Sequence, residues 1–222
     1  MVRAILAGTK TQTRRIVKIP DWNPIACIAS DTMHNGNFER IPSDMRYKIL
    51  KCADSHGRHA EIHSPYGQPG DRLWVKETWA TNGCYDYLPP RKLDRHCFAP
   101  DIGDGCYRAT TPEGEEYGKW RPSIFLPRWA SRITLEITAV RVERLQDITE
   151  ADAIAEGVRR VTKDGVLFKH CIYDAGRDTS LTPWAIMRST AVGAYADIWK
   201  SINGPDSWDA NPYVWVIEFQ KL

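Results

Sequence analysis

Apolar and polar residues alternate along three stretches of the chain, and this two-residue period predicts β-strands. The clearest stretch runs from Arg132 to about Glu143, a second spans about 71–79, and a third covers 213–219. Only short helical segments and loops separate these strands. The pattern therefore favours an α+β fold with a curled sheet over a parallel βαβ arrangement.

Three helices are predicted from apolar periodicity and from the residues that start or end helices. The first is short and ends at Gly8. Thr149, with Asp152 three residues later, forms a capping box, and Gly157 ends the resulting helix after about two turns. A longer helix carries one apolar stripe and continues to Ile202.

The remaining stretches show no regular period, and we expect loop-rich insertions in a single domain that covers residues 1–222. The insertions are predicted at about 21–66, 82–119 and 159–182. Within them, the pattern indicates a short helix near Met45–Cys52 and a short strand at Tyr107–Ala109.

Composition limits the classes of function. The hydrophobic fraction of 42% and the charged fraction of 26% are typical of a globular domain with a real core. A net charge of only +2 excludes a polycation that coats nucleic acid, so any such site is a local patch. Nine tryptophans are more than a core needs, and they suit a pocket that stacks flat rings.

The sequence also predicts where the protein is found. It contains no run of the roughly 18 apolar residues that a membrane span needs, and its amino-terminal apolar stretch is too short for a secretory signal. The six cysteines are scattered, as expected of reduced thiols. We therefore expect a cytoplasmic protein with no membrane association.

The segment Lys10–Arg15 concentrates three cations and two hydroxyl groups in six residues. Thr13 or Thr11 is a candidate nucleophile, and Lys10 is an amine that loses its proton more readily when buried. The guanidinium of Arg15 suits a phosphate or a carboxylate. The alternative is a solvated basic turn without chemistry.

Glu156 is the second candidate, because it directly precedes the helix-ending Gly157. A carboxylate at the negative end of the helix dipole is disfavoured in its charged form, which suits a general acid or base. The alternative is an exposed glutamate at a frayed helix end.

Two further groups of residues are candidates for substrate binding. Ser123, Arg128 and Trp129 lie in a segment rich in arginine, proline and tryptophan, where arginine can hold a phosphate and tryptophan can stack a base. The alternative is a loop that covers the core. Glu77 and Trp79 share one face of a predicted strand, and a buried Glu77 needs Lys10 or an arginine as its partner.

Metal and cofactor sites are not expected. Two loose groups of cysteine and histidine occur, but neither has the paired C-x-x-C spacing of structural zinc sites. These groups are Cys52, His56, His59 and His63, and Cys84, His96, Cys97 and Cys106. The chain also lacks a P-loop, a dinucleotide glycine fingerprint, G-x-S-x-G and H-E-x-x-H.

Read together, five segments resemble the ASCH-domain family, which has a PUA-like β-barrel fold, and most closely a group common in phages and prophages. The segments are residues 6–15 (LAGTKTQTRR), 70–79 (GDRLWVKETW), 122–132 (PSIFLPRWASR), 145–157 (LQDITEADAIAEG) and 212–219 (PYVWVIEF). The resemblance implies a small β-barrel with short flanking helices.

The same family includes bacterial N4-acetylcytidine amidohydrolases, whose G-x-K-T-x-T-x-R turn and L-T-E-x-x-A-x-x-E helix are similar to segments of this chain. The resemblance places their catalytic lysine, threonine and glutamate at Lys10, Thr13 and Glu156, and a nearby arginine at Arg15. It implies hydrolysis of an acylated pyrimidine nucleoside.

On this hypothesis Thr13 attacks the acyl group or positions a water, Lys10 accepts the proton, and Glu156 delivers a proton to the leaving amine. Arg128 and Trp129 then hold a modified nucleoside. A second hypothesis makes the domain an RNA-binding module, and a third makes it a ribonuclease that uses the same residues. In the RNA-binding hypothesis, the cations that bind phosphates are Lys10, Arg14, Arg15 and Arg128.

Overall fold

The computed structural model describes most of the chain. Its described residues are 2–18, 26–30, 49–53, 59–97, 106–111, 118–162, 164–172, 184 and 187–222. The fold is mixed α+β, as predicted. The α-helices are Val2–Leu6 (α1), Glu150–Ala155 (α2) and Ala191–Asn203 (α3). The strands are Gln12–Ile16 (β1), Ala26–Ser30 (β2), Ile49–Ala53 (β3), His59–Ile62 (β4), Arg72–Trp74 (β5), Trp79–Ala80 (β6), Cys106–Tyr107 (β7), Thr134–Arg144 (β8), Val158–Thr162 (β9), Phe168–Ile172 (β10) and Tyr213–Lys221 (β11).

A curled antiparallel sheet with strand order β1-β11-β8-β5 forms the centre of the fold. The predicted strands at 132–143 and 213–219 are confirmed as β8 and β11, which pair along nearly their whole length. The predicted strand at 71–79 is interrupted, because β5 ends at Trp74 and β6 begins at Trp79. The chain leaves the sheet between them, where the buried Glu77 carboxylate binds Arg132.

The two faces of this sheet support different cores, because successive side chains of a strand point to opposite faces. Val214 and Val216 of β11 face α2 and α3 and belong to the cluster that includes Tyr195. Trp215 and Ile217 face the other way and pack in a cluster with residues of β8. The face of β1 on which a side chain lies therefore decides which core it meets.

The three predicted helices are present, and their ends form as the sequence indicates. Thr149 and Asp152 make a reciprocal capping box at the start of α2. Gly157 follows this helix with a φ of 100°, a conformation that side chains with a Cβ rarely adopt. The Glu150 carboxylate accepts bonds from the first backbone amides of α3, so the two helices start side by side.

Parts of the predicted insertions have regular structure. The first contains the three-stranded antiparallel sheet β2-β3-β4. The helix expected near Met45–Cys52 is wrong over its described part, because Ile49–Ala53 is a strand paired on both sides. Residues 45–48 lie outside the described part. In the third insertion, β9 and β10 form an antiparallel hairpin. The second contains β7, which starts one residue before the predicted strand and overlaps it at Tyr107.

No helix in the described part of the chain is long and apolar enough to span a bilayer.

The capping box generates a stability prediction. Thr149→Ala removes the hydroxyl that accepts from the Asp152 amide, and we expect a loss of about 1 kcal/mol in the free energy of unfolding. Thr149→Ser keeps the hydroxyl and is expected to retain most of the stability. Urea denaturation of the three proteins measures the difference, and equal losses in both variants would contradict the role of the cap.

Candidate active site

The turn after α1 brings the start of β1 against the end of α2. The Lys10 amide donates to the Ala4 carbonyl, and the Thr11 amide donates to the carbonyl of Ala155, the last residue of α2. A Cβ atom added at Gly157 would lie 3.5 Å from the Lys10 Cβ, so the helix-ending glycine is in close contact with the turn. Lys10 and Glu156 therefore become neighbours although 146 positions separate them.

Lys10 and Glu156 form a buried ion pair. The Lys10 Nζ lies 2.7 Å from the Glu156 Oε2, and the two residues are only 5% and 6% exposed. The same Nζ donates to the Gln12 carbonyl at 2.7 Å and to the Glu156 carbonyl at 2.9 Å. An ammonium has three hydrogens, and each of them has an acceptor here.

The surroundings of Lys10 change its pKa in opposite directions. Burial lowers the pKa of Lys10 below its ordinary value, and the nearby charges of Arg15 and Arg14 lower it further. The charge of Glu156 raises it in part.

The two oxygens of the Glu156 carboxylate are held unequally. Oε2 receives the short bond from Lys10, whereas Oε1 lies 3.5 Å from both the Arg14 Nη1 and the Tyr195 hydroxyl. Bonds of that length are weak. Oε1 therefore keeps most of its capacity to accept a hydrogen bond from a ligand.

Arg14 anchors a buried polar network beneath this carboxylate. The residue is 1% exposed, and its guanidinium donates to the Gln12 side chain at 2.5 Å and to Glu143 at 2.7 Å. Arg141 pairs with Glu143 and with Asp152, so a second guanidinium balances these acids. Moving any one of these side chains away would leave a buried charge unpaired, which is strongly destabilising. The network therefore holds Arg14 and the carboxylates in one arrangement.

A cavity of about 310 Å³ opens above Glu156. Glu156 and Arg14 form its buried base, and the aromatic rings of Tyr195 and Trp199 contribute to its wall. The exposed Arg15 lies at its rim. The remaining lining residues are Ile16, Ile198, Ile202 and Asn203. The arrangement offers a carboxylate, a cation and flat apolar surfaces to one small ligand.

Thr13 does not join the buried pair. In β1 it lies opposite Ile217, whereas its neighbour Arg14 lies opposite Val216, so Thr13 points to the face away from α2 and α3. Among the described residues, no hydrogen bond joins its hydroxyl to Lys10 or Glu156. Lys10 and Glu156 therefore lie together, but Thr13 does not join them, because successive side chains of a strand point to opposite faces.

Thr11 is exposed and contributes its backbone, since its carbonyl accepts from the Phe219 amide at 2.8 Å. Glu77 is buried, and its partner is an arginine, one of the two partners that the sequence allowed: Arg132 binds both carboxylate oxygens at 3.0 Å. Lys10, the other predicted partner, is committed to Glu156.

The other candidates for substrate binding do not line the described cavity. Trp79 is fully buried in a separate core cluster, and Trp129 packs against the same cluster. Ser123 starts a short 3-10 helix. Arg128 is exposed, with its guanidinium 5.6 Å from the centre of the Trp74 ring. Core packing accounts for Trp79 and Trp129, and a surface cation–π contact accounts for Arg128, without a ligand.

Among the described residues, no three of His, Cys, Asp and Glu lie close enough together to hold a metal ion. His56 and the side chains of Cys52, His59 and His96 lie outside the described part of the chain.

The two aromatic residues of the cavity were not among the candidates from the sequence. Tyr195 and Trp199 belong to the apolar stripe of α3, which packs on the sheet, and the stripe predicts only a helix with a buried face. Their spacing of four residues indicates a shared helix face, but nothing in the sequence indicates that this face also borders a cavity.

Comparison with protein-family models, with curated proteins and with solved structures found no match for this chain.

The network generates a prediction about pH. Partial burial raises the pKa of the Asp152 carboxyl, but hydrogen bonds from Thr149 and Gln12 and the charge of Arg14 outweigh it, and the pKa falls to about 2. A lowered pKa means that the carboxylate stabilises the fold above its ordinary pKa of 3.8, and that this contribution is lost as the pH falls towards 2.

We therefore expect Asp152→Asn to be less stable than the wild-type protein near neutral pH, with a deficit that narrows as the pH falls from about 4 to about 2. Urea denaturation at a series of pH values measures the deficit. A deficit that stays constant over this range would show that the charge of Asp152 contributes nothing.

Proposed function

We propose that the chain is an ASCH-type, PUA-like amidohydrolase that acts on an N-acylated pyrimidine nucleoside such as N4-acetylcytidine. The observation that carries the proposal is the Lys10–Glu156 pair, whose loosely held carboxylate oxygen lies at the base of a small cavity. The curled antiparallel sheet is compatible with the small β-barrel of that fold.

The cavity suits a nucleoside in size and lining. Small-molecule pockets range from about 300 to 1,000 Å³, and a volume of about 310 Å³ is at the lower end of this range. Tyr195 and Trp199 offer aromatic surface against which a pyrimidine ring can pack. A carboxylate at the base can accept a hydrogen bond from the N–H of an acylated exocyclic amine.

Glu156 is the proton-transfer group in the proposed reaction. Its Oε1 accepts a proton from a water molecule as the water oxygen bonds to the acyl carbon. When the carbon–nitrogen bond then breaks, the carboxyl group returns this proton to the exocyclic nitrogen. The products are a carboxylic acid and the free base amine.

Lys10 is a positioning residue in this scheme. All three of its ammonium hydrogens have acceptors, so it holds the Glu156 Oε2 and leaves Oε1 to the substrate. Water is the nucleophile, because Thr13 faces the other side of β1. The scheme thus keeps the lysine and glutamate of the resemblance as site residues, moves the role of proton acceptor from Lys10 to Glu156, and replaces the threonine with water.

The burial of two cations supports this proposal over an RNA-binding module. Lys10 and Arg14 are enclosed and paired with carboxylates, so neither presents its charge to a phosphate backbone. Of the four cations in the RNA-binding hypothesis, only Arg15 and Arg128 are exposed, so only these two can contact a phosphate backbone.

Hydrolysis of N4-acetylcytidine by the purified chain tests the proposal, with cytidine release followed by chromatography. Glu156→Gln keeps an acceptor for Lys10 but cannot take a proton, and we expect turnover to fall by about 100- to 10,000-fold. Lys10→Met is expected to lose activity as well, since the carboxylate loses its anchor. Thr13→Val is the matched control and is expected to keep wild-type turnover.

The outcomes separate the alternatives. Full activity of Glu156→Gln would overturn the proposed role of the carboxylate, and loss of activity in a folded Thr13→Val would make the threonine the nucleophile. A wild-type protein that leaves the nucleoside intact, but binds labelled RNA with an affinity that falls steeply with salt, would favour the binding module. Cleavage of that RNA would favour the ribonuclease.

A further inference from the structure

Tyr195 of α3 brings a hydroxyl group to the same cavity. Its ring is buried in the core beneath the sheet, with the centre of the Trp199 ring at 6.2 Å and that of Trp208 at 6.4 Å. Arg14 lies 6.0 Å from the centre of the ring. This packing fixes the position of the phenol, so the hydroxyl reaches the base of the cavity on a rigid side chain.

The hydroxyl is poorly satisfied for a buried polar group. Its hydrogen-bond partner in the described part of the chain is the Glu156 Oε1, at 3.5 Å, which is the outer limit of a hydrogen bond. Buried hydroxyl groups normally have a good partner, and a phenylalanine would fill the same space. The position of this oxygen therefore points to a ligand atom that completes its bonding.

The hydroxyl stays protonated at neutral pH. Burial raises the pKa of Tyr195 far above its ordinary value, and the charge of Glu156 raises it further. The phenol is thus a hydrogen-bond donor and not a base, whereas the neighbouring Glu156 Oε1 is an acceptor.

We propose that the Tyr195 hydroxyl donates a hydrogen bond to the acyl carbonyl oxygen of the substrate and stabilises the negative charge that develops there. This inference rests on the proposed amidohydrolase function. The two oxygens, Tyr195 Oη and Glu156 Oε1, are 3.5 Å apart, so the reacting acyl group can contact both at once.

The step balances with the groups already named. The water oxygen bonds to the acyl carbon, Glu156 takes the water proton, and the carbonyl π electrons move to the oxygen. Tyr195 keeps its own proton and donates a hydrogen bond to this oxyanion. The carbonyl then re-forms as the carbon–nitrogen bond breaks, and Glu156 protonates the departing nitrogen.

Tyr195→Phe tests the inference, because it removes the hydroxyl and keeps the ring. With N4-acetylcytidine as substrate, we expect kcat to fall by about 100- to 1,000-fold and KM to stay nearly unchanged, since the bond strengthens only in the transition state. The unfolding midpoint in urea is expected to stay at the wild-type value. Tyr213→Phe is the matched control, because Tyr213 lies on β11 and packs in the cluster on the other face of the sheet.

The results distinguish this inference from the function on which it rests. If the wild-type protein hydrolyses the substrate and Tyr195→Phe has the same kcat, only the role of Tyr195 is overturned. A rise in KM at constant kcat also overturns it, because the hydroxyl would then only bind the ground state. No turnover by the wild-type protein overturns both proposals.

Discussion

The structure of the candidate site depends on the burial of one ion pair, Lys10–Glu156. Removing two charges from water is costly, and the attraction between them offsets this cost only when the remaining hydrogen-bonding groups are satisfied. Lys10 meets that condition with three acceptors, two of which belong to Glu156. The pair also ties the start of β1 to the end of α2, which brings Arg14 and Glu156 together at the base of the cavity.

The two oxygens of the Glu156 carboxylate are bonded unequally, and this leaves one of them able to take part in a reaction. Lys10 binds Oε2 and so fixes the orientation of Glu156. In the described part of the chain, Oε1 has only weak bonds, to Arg14 and Tyr195, which line the cavity together with Glu156. Arg14 is paired with carboxylates, so its buried charge is balanced. Helix α3 supplies the aromatic surface of the cavity and the hydroxyl of Tyr195. A fixed acceptor beside a fixed donor is the arrangement expected where an acyl group reacts with water.

The sequence predicted what depends on local pattern. The long strands, the capping box of α2 and the glycine that ends it follow from short-range rules, and the resemblance brought Lys10 and Glu156 together. No strand is predicted over 12–16, and only this strand reveals that Thr13 and Arg14 face opposite sides of the sheet. Which arginine pairs with Glu77 and whether residues 49–53 form a strand depend on pairing between distant segments, which local pattern does not specify.

The most direct test is a crystal structure of the Glu156→Gln variant with uncleaved N4-acetylcytidine. The account predicts the nucleoside in the cavity beside Trp199, with its acylated amine within hydrogen-bond distance of the side chain at position 156 and that side chain still bound to Lys10. A nucleoside bound outside this cavity, or a residue 156 turned to solvent and separated from Lys10, would contradict it.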